Sequence, residues 1–171
     1  MRKTIKSDDI IQLAQTYLYL EMPLKAATIL DTELKNGEIE SSKFNIELLS
    51  NSWLLAQEIE QAALVLERFT PIFNDVSLYY KLGHIYVELE KWGKAKNALE
   101  SVVSNNELQN QDGIQATAWL LLGISSYHQM DTLRSTQALN KALTFEETKD
   151  QATWWLQQIT QESSNDSNSE I

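Results

Sequence analysis

Cysteine is absent from the 171 residues. The chain therefore has no disulfide, no thiol nucleophile and no thiolate ligand for zinc or an iron–sulfur cluster. Its compartment can be oxidising or reducing without consequence. Proline and glycine are scarce, at 2 and 5 residues. A β-sandwich or barrel turns its chain often and draws on both residues to do so, which disfavours an all-β architecture. No stretch approaches the roughly 18 consecutive apolar residues of a membrane span. Met1-Arg2-Lys3 has the charge of a secretory leader, but Ser7, Asp8 and Asp9 follow where an apolar segment is needed. A cytosolic protein and an excised piece with an added Met both fit that start. Positive charge is also in deficit. The 14 Lys and Arg against 24 Asp and Glu leave a formal charge of −10, a poor match for nucleic acid or an anionic membrane surface.

What the chain does have is an internal repeat. From Ile10, Ile46, Tyr79 and Trp119, the third residue on is leucine in every case: Leu13, Leu49, Leu82 and Leu122. The fourth is small: Ala14, Ser50, Gly83 and Gly123. The seventh is Tyr17, Trp53, Tyr86 and Ser126, and the sixteenth is Ala26, Ala62, Ala95 and Ser135. At the twentieth, leucine returns as Leu30, Leu66, Leu99 and Leu139. Offsets of three, four and seven share one face of a helix, and offsets sixteen and twenty share a face of a second helix. Small residues at four and sixteen let the two backbones approach. Each unit is thus a helix, a turn and an antiparallel helix, which must stack on its neighbours to bury its apolar face.

The pattern predicts repeats over 8–36, 43–70, 76–104 and 114–144, and a last amphipathic helix over 148–161. In that helix Trp154, Trp155, Leu156 and Ile159 would cover the open end of the fourth repeat. Residues 162–171 have no periodicity and read as a disordered acidic tail. Longer linkers are expected over 35–44 and 104–115. Pro23 suits the first turn of a helix, Pro71 is expected to stop the fourth helix, Ser7-Asp8 and Asp75 to cap helix starts, and Gly37 to end a helix with positive φ.

At these residues the chain resembles the tetratricopeptide repeat family. The fullest match is Leu82-Gly83, Tyr86, Ala95 and Leu99, followed by Trp119, Leu122-Gly123 and Ala142. Ala14 and Ser50 stand where the family prefers Gly, and Ser126 and Ser135 where Tyr and Ala are usual. The resemblance covers about residues 8–160. It implies an all-α fold, a right-handed α-α superhelix of about four helix-turn-helix repeats plus a capping helix. The order of segments from LAQTYLYLEMPLKAATIL to QATWWLQQI also resembles the C-terminal region of tetratricopeptide proteins associated with the TonB energy-transduction system of Gram-negative bacteria. That similarity implies a periplasmic accessory of iron and siderophore uptake; a cytoplasmic setting is the alternative.

Residues at offsets one, five and eight of the first helices, with their neighbours, would line the concave side of such an array. Offset one gives Ile11, Glu47, Tyr80 and Leu120, offset five Gln15, Asn51, His84 and Ile124, and offset eight Leu18, Leu54, Val87 and Tyr127; Tyr19, Leu55 and His128 follow one residue later, and Trp155 joins from the last helix. The candidate partner-binding residues among them are Tyr19, Asn51, Leu55, Tyr80, His84, Leu120, Ile124, Tyr127 and Trp155. The set is apolar and aromatic, which points to a protein or peptide segment as partner and not to a carboxylate clamp built from Lys, Arg and Asn. No enzyme is expected. The two histidines, His84 and His128, lie on different helices without a carboxylate at helical spacing, and no metal, phosphate-loop or nucleophile-elbow motif occurs. No cofactor is expected either. Two other functions stay open: an assembly or spacer module that self-associates or continues a longer array, and a solenoid that binds a small molecule or lipid.

Overall fold

The computed structural model describes residues 6–105 and 112–169. Every regular element among them is a helix. The chain divides into two compact units, Met1–Asn74 and Asp75–Ile171. The first holds α1 (Ser7–Tyr19), α2 (Pro23–Asn36), α3 (Lys43–Leu55) and α4 (Ile59–Phe73). Each packs on the next. The second holds α5 (Val76–Glu88), α6 (Trp92–Val103), α7 (Asp112–His128), α8 (Thr132–Ala142) and α9 (Lys149–Ser169). Here α7 packs on α5, α6, α8 and α9. Consecutive helices thus form the expected antiparallel pairs, with α9 following as an unpaired first helix.

Packing follows the repeat. Leu30, Leu66, Leu99 and Leu139 are all fully buried, as are Ala14, Ser50, Ala26, Ala62, Ala95 and Ser135. Glycine is required where the second helix comes closest: a Cβ on Gly83 would lie 2.8 Å from Leu99 Cγ, and one on Gly123 2.6 Å from Leu139 Cγ. Ser135 fills the place of the usual alanine and donates a buried hydrogen bond of 2.8 Å to the Gly123 carbonyl, tying α8 to α7. The offset-three leucines are not equivalent. Leu49, Leu82 and Leu122 are at most 6% exposed, but Leu13 is 41% exposed. Periodicity puts Leu13 on an apolar face; among the described residues no helix pair precedes α1 to cover that face.

The four turns inside the pairs are the same turn. Glu21, Gln57, Glu90 and Met130, all at offset eleven, adopt left-handed backbone with φ of 56, 62, 53 and 57°. In each, the next N–H reaches back to the carbonyl of Tyr17, Trp53, Tyr86 or Ser126, closing the helix end. None is glycine, so each turn holds a side chain in a conformation that costs it energy.

Some boundaries differ from expectation. Pro71 does not stop α4 but lies inside its last turn; the helix runs on to Phe73 and ends at Asn74, whose φ is 49°. One missing N–H near a C-terminus removes a single bond, whereas a left-handed residue redirects the backbone. Ser7 and Asp8 are helical residues and not caps, since Lys6 holds the cap position without a side-chain bond. Asp75 does cap α5, accepting from the N–H groups of Ser77 and Leu78. Pro23 opens α2, and Gly37 closes it at φ 77°. The 35–44 linker is anchored by Ile39, which is buried in the first unit's core. Of the 104–115 linker, 106–111 lie outside the described residues, and its last four residues already belong to α7, which begins at Asp112. Helix α9 continues to Ser169, past the expected end at 161; no Pro or Gly occurs there to break it. Residues 170–171 lie outside the described residues.

Candidate functional site

The sequence-derived surface residues fall into both units. In the first, Tyr19 and Leu55 end their helices at 87% and 62% exposure, and Asn51 is exposed on α3. In the second, Tyr80 and His84 lie one turn apart on α5 with ring centroids at 4.5 Å, edge to face. Burial lowers the His84 pKa below its ordinary 6.5. Its Nε2 is buried and has no hydrogen-bond partner among the described residues. At neutral pH the ring is therefore uncharged and packs as an aromatic.

Leu120 departs from expectation. It is only 4% exposed and belongs to a core cluster with Leu139 and Ala142 of α8 and Ala152 and Ile159 of α9. The docking of α8 and α9 covers it, so it is core and not surface. Ile124, Tyr127 and Trp155 are half-buried at the edge of the same cluster.

Tyr127 and Trp155 do come together, with ring centroids at 5.2 Å, and they meet His128 of the same row together with Trp92 and Trp154. His128, in the last turn of α7, lies edge-on to Tyr127 at 5.4 Å and to Trp155 at 5.9 Å. Trp92, the first residue of α6, stacks on His128 at 4.0 Å and 12°. Trp154, 52% exposed, meets Trp155 edge to face at 4.9 Å. The expectation that Trp154 helps cover the fourth repeat is thus only met by its neighbours Trp155, Leu156 and Ile159. His128 was legible as the residue after Tyr127. Trp92 was not, because it stands on a second helix, outside the first-helix offsets that line the groove.

Glu162 completes the cluster. It lies seven residues beyond Trp155, on the same face of α9. Its Oε1 accepts a hydrogen bond from the Tyr127 hydroxyl at 2.5 Å. That hydrogen bond, with desolvation and the charge of the carboxylate, raises the Tyr127 pKa above its ordinary 10. The second helices of this unit carry ion pairs. Lys96 pairs with Asp131 at the start of α8, and Arg134 pairs with Glu100 and lies over the Trp119 ring. Among the described residues no group of three or more histidines and carboxylates is placed to hold a metal ion, and no helix is long and apolar enough to cross a membrane.

Comparison with solved structures defines the class: this is the tetratricopeptide solenoid fold. A crystal structure of MamA superposes with a TM-score of 0.63 at 21% identity, over 85% of this chain and 81% of that one. MamA 41-end from Desulfovibrio magneticus RS-1 gives 0.65 at 14% identity, over 91% and 93%. A tetratricopeptide repeat protein from Parabacteroides merdae ATCC 43184 gives 0.69 at 13%, over 93% of this chain and 60% of that one. No family model matches the sequence, and no curated protein matches it. At such identities the shared feature is the fold. These neighbours lend no support to an association with the TonB system.

Proposed function

We propose that the chain is a non-enzymatic protein–protein interaction scaffold whose partner docks on the first-helix side of the second unit, at Tyr127, His128, Trp154 and Trp155. The observation that carries this reading is the run of mutually packed aromatic rings from Trp92 to Trp154. Such rings supply large, rigid contact area with little side-chain entropy to lose, and Trp and Tyr anchors are over-represented where binding energy concentrates. The test is a photo-crosslinking residue placed at Tyr127, with Asn97 on α6 as control. The crosslinked protein is identified, produced pure and titrated against native chain and a Tyr127→Ala, Trp155→Ala variant of intact circular dichroism. A loss of roughly tenfold or more supports the scaffold reading. Equal affinity overturns it.

The periplasmic, TonB-linked setting is a proposal of a finer kind. It rests on the resemblance of segment order alone. Recovery of envelope energy-transduction proteins from the Tyr127 crosslink would support it.

Assembly is the second reading, and Leu13 favours it. Its repeat equivalents are buried while it is 41% exposed. Self-association over that edge would appear as a concentration-dependent sedimentation coefficient, abolished by Leu13→Lys. A constant monomer value at high concentration would sink it.

A further inference from the structure

We infer that the aromatic end of α7 receives an arginine side chain of the docked segment, between the carboxylates of Glu162 and Glu88; this rests on the scaffold reading above. Three observations converge on that chemistry. First, the rings of Tyr127, His128 and Trp155 form one packed cluster, with Trp154 half-exposed beside it. The π faces of Trp and Tyr attract cations, and a planar guanidinium stacks on them better than an ammonium does.

Second, the helices on both sides of α7 bring acid to this end. Glu162 on α9 accepts a hydrogen bond from the Tyr127 hydroxyl and forms no ion pair among the described residues. Its second oxygen and remaining lone pairs are open to a donor. Glu88 closes α5 at offset nine, the register position that His128 holds on α7. It is exposed and likewise unpaired among the described residues.

Third, three of the unit's cations are already paired with carboxylates: Lys96 with Asp131, Arg134 with Glu100 and Lys149 with Glu146. The aromatic end is thus a cation-seeking surface on a chain of net charge −10. Charge complementarity therefore selects a basic partner, and the pairing of flat rings with carboxylates selects arginine within it.

The experiment follows tryptophan indole N–H resonances of the full chain at low salt while three peptides are added: Ac-Leu-Arg-Leu-Arg-Leu-NH₂, its lysine counterpart and its citrulline counterpart. Citrulline keeps the planar shape and loses the charge. The expected result is a shift of the Trp155 and Trp154 resonances, with the arginine peptide bound roughly tenfold more tightly than citrulline and several-fold more tightly than lysine. That preference should shrink in high salt. It should also be largely lost in a Glu88→Gln, Glu162→Gln variant that binds the citrulline peptide as before. Glutamine can still accept the Tyr127 hydroxyl, so this variant keeps the fold. Equal binding of arginine and citrulline peptides at Trp155 overturns the arginine inference and leaves the scaffold reading standing. Preference for lysine, full preference in the double variant, or no binding of any peptide overturns the inference too. The scaffold reading fails only on its own crosslinking and titration test.

Discussion

A methyl group on Gly123 would sit 2.6 Å from Leu139 Cγ and 3.3 Å from the Leu139 backbone nitrogen. Contact with a backbone atom means that α7 and α8 must move apart to admit it. Gly123→Ala is therefore expected to destabilise the chain by about 2–3 kcal/mol, the upper range for overpacking. Gly83→Ala meets only the Leu99 side chain, which can rotate, and is expected to cost about 1–2 kcal/mol. Urea unfolding of both variants checks the order. A larger cost for Gly83 would mean that backbone proximity is not what sets the penalty.

The left-handed turns make an opposite prediction. Met130 is 90% exposed at φ 57°, so its side chain contributes strain and little packing. Met130→Gly should stabilise by about 0.5–1 kcal/mol, the relief of left-handed strain less the extra freedom of glycine in the unfolded chain. A rise in the thermal midpoint is the readout. A fall would show that Met130 makes contacts worth more than the strain.

Acid stability should depend on Asp131. The Lys96 ammonium and the Arg134 backbone N–H hold its pKa below the ordinary 3.8. A depressed carboxylate stabilises the fold above its unfolded pKa and loses that contribution as pH falls through the folded value. The native chain should thus lose stability on going below about pH 4 more steeply than Asp131→Asn does. Parallel denaturant titrations across that window test it. Identical slopes would mean that this exposed pair is too well screened to matter.

Tyr127 should be a late-titrating phenol. Its hydroxyl proton is held by Glu162, and its pKa is raised. In Glu162→Gln the amide can still accept the hydroxyl but the charge is gone, so the Tyr127 transition should move part of the way back toward 10. The phenolate absorbance of the native chain against Tyr127→Phe isolates that transition. Coincident curves for native chain and Glu162→Gln would show that the contact does not persist in solution.

The helix pairs, their register and most of their ends were legible in the sequence, because each depends on spacing along the chain. Leucine at offsets three and twenty, with small residues at four and sixteen, states which faces are apolar and where two backbones must touch. Pro23, Gly37 and Asp75 act on their own few residues and were equally legible. What spacing does not contain is the identity of the covering neighbour. Leu13 and Leu49 occupy the same offset, yet only Leu49 is buried: α2 packs against α3, and no described helix precedes α1. Leu120 has the offset of a surface residue and is sealed by α8 and α9. The turns carry left-handed residues without a glycine to announce them, because the hydrogen bonds that close each helix pair outweigh a local preference. The aromatic site assembles Trp92 from α6, His128 from α7 and Trp155 from α9. Residues from three helices meet only once the helices have packed, so the tertiary structure decided that site.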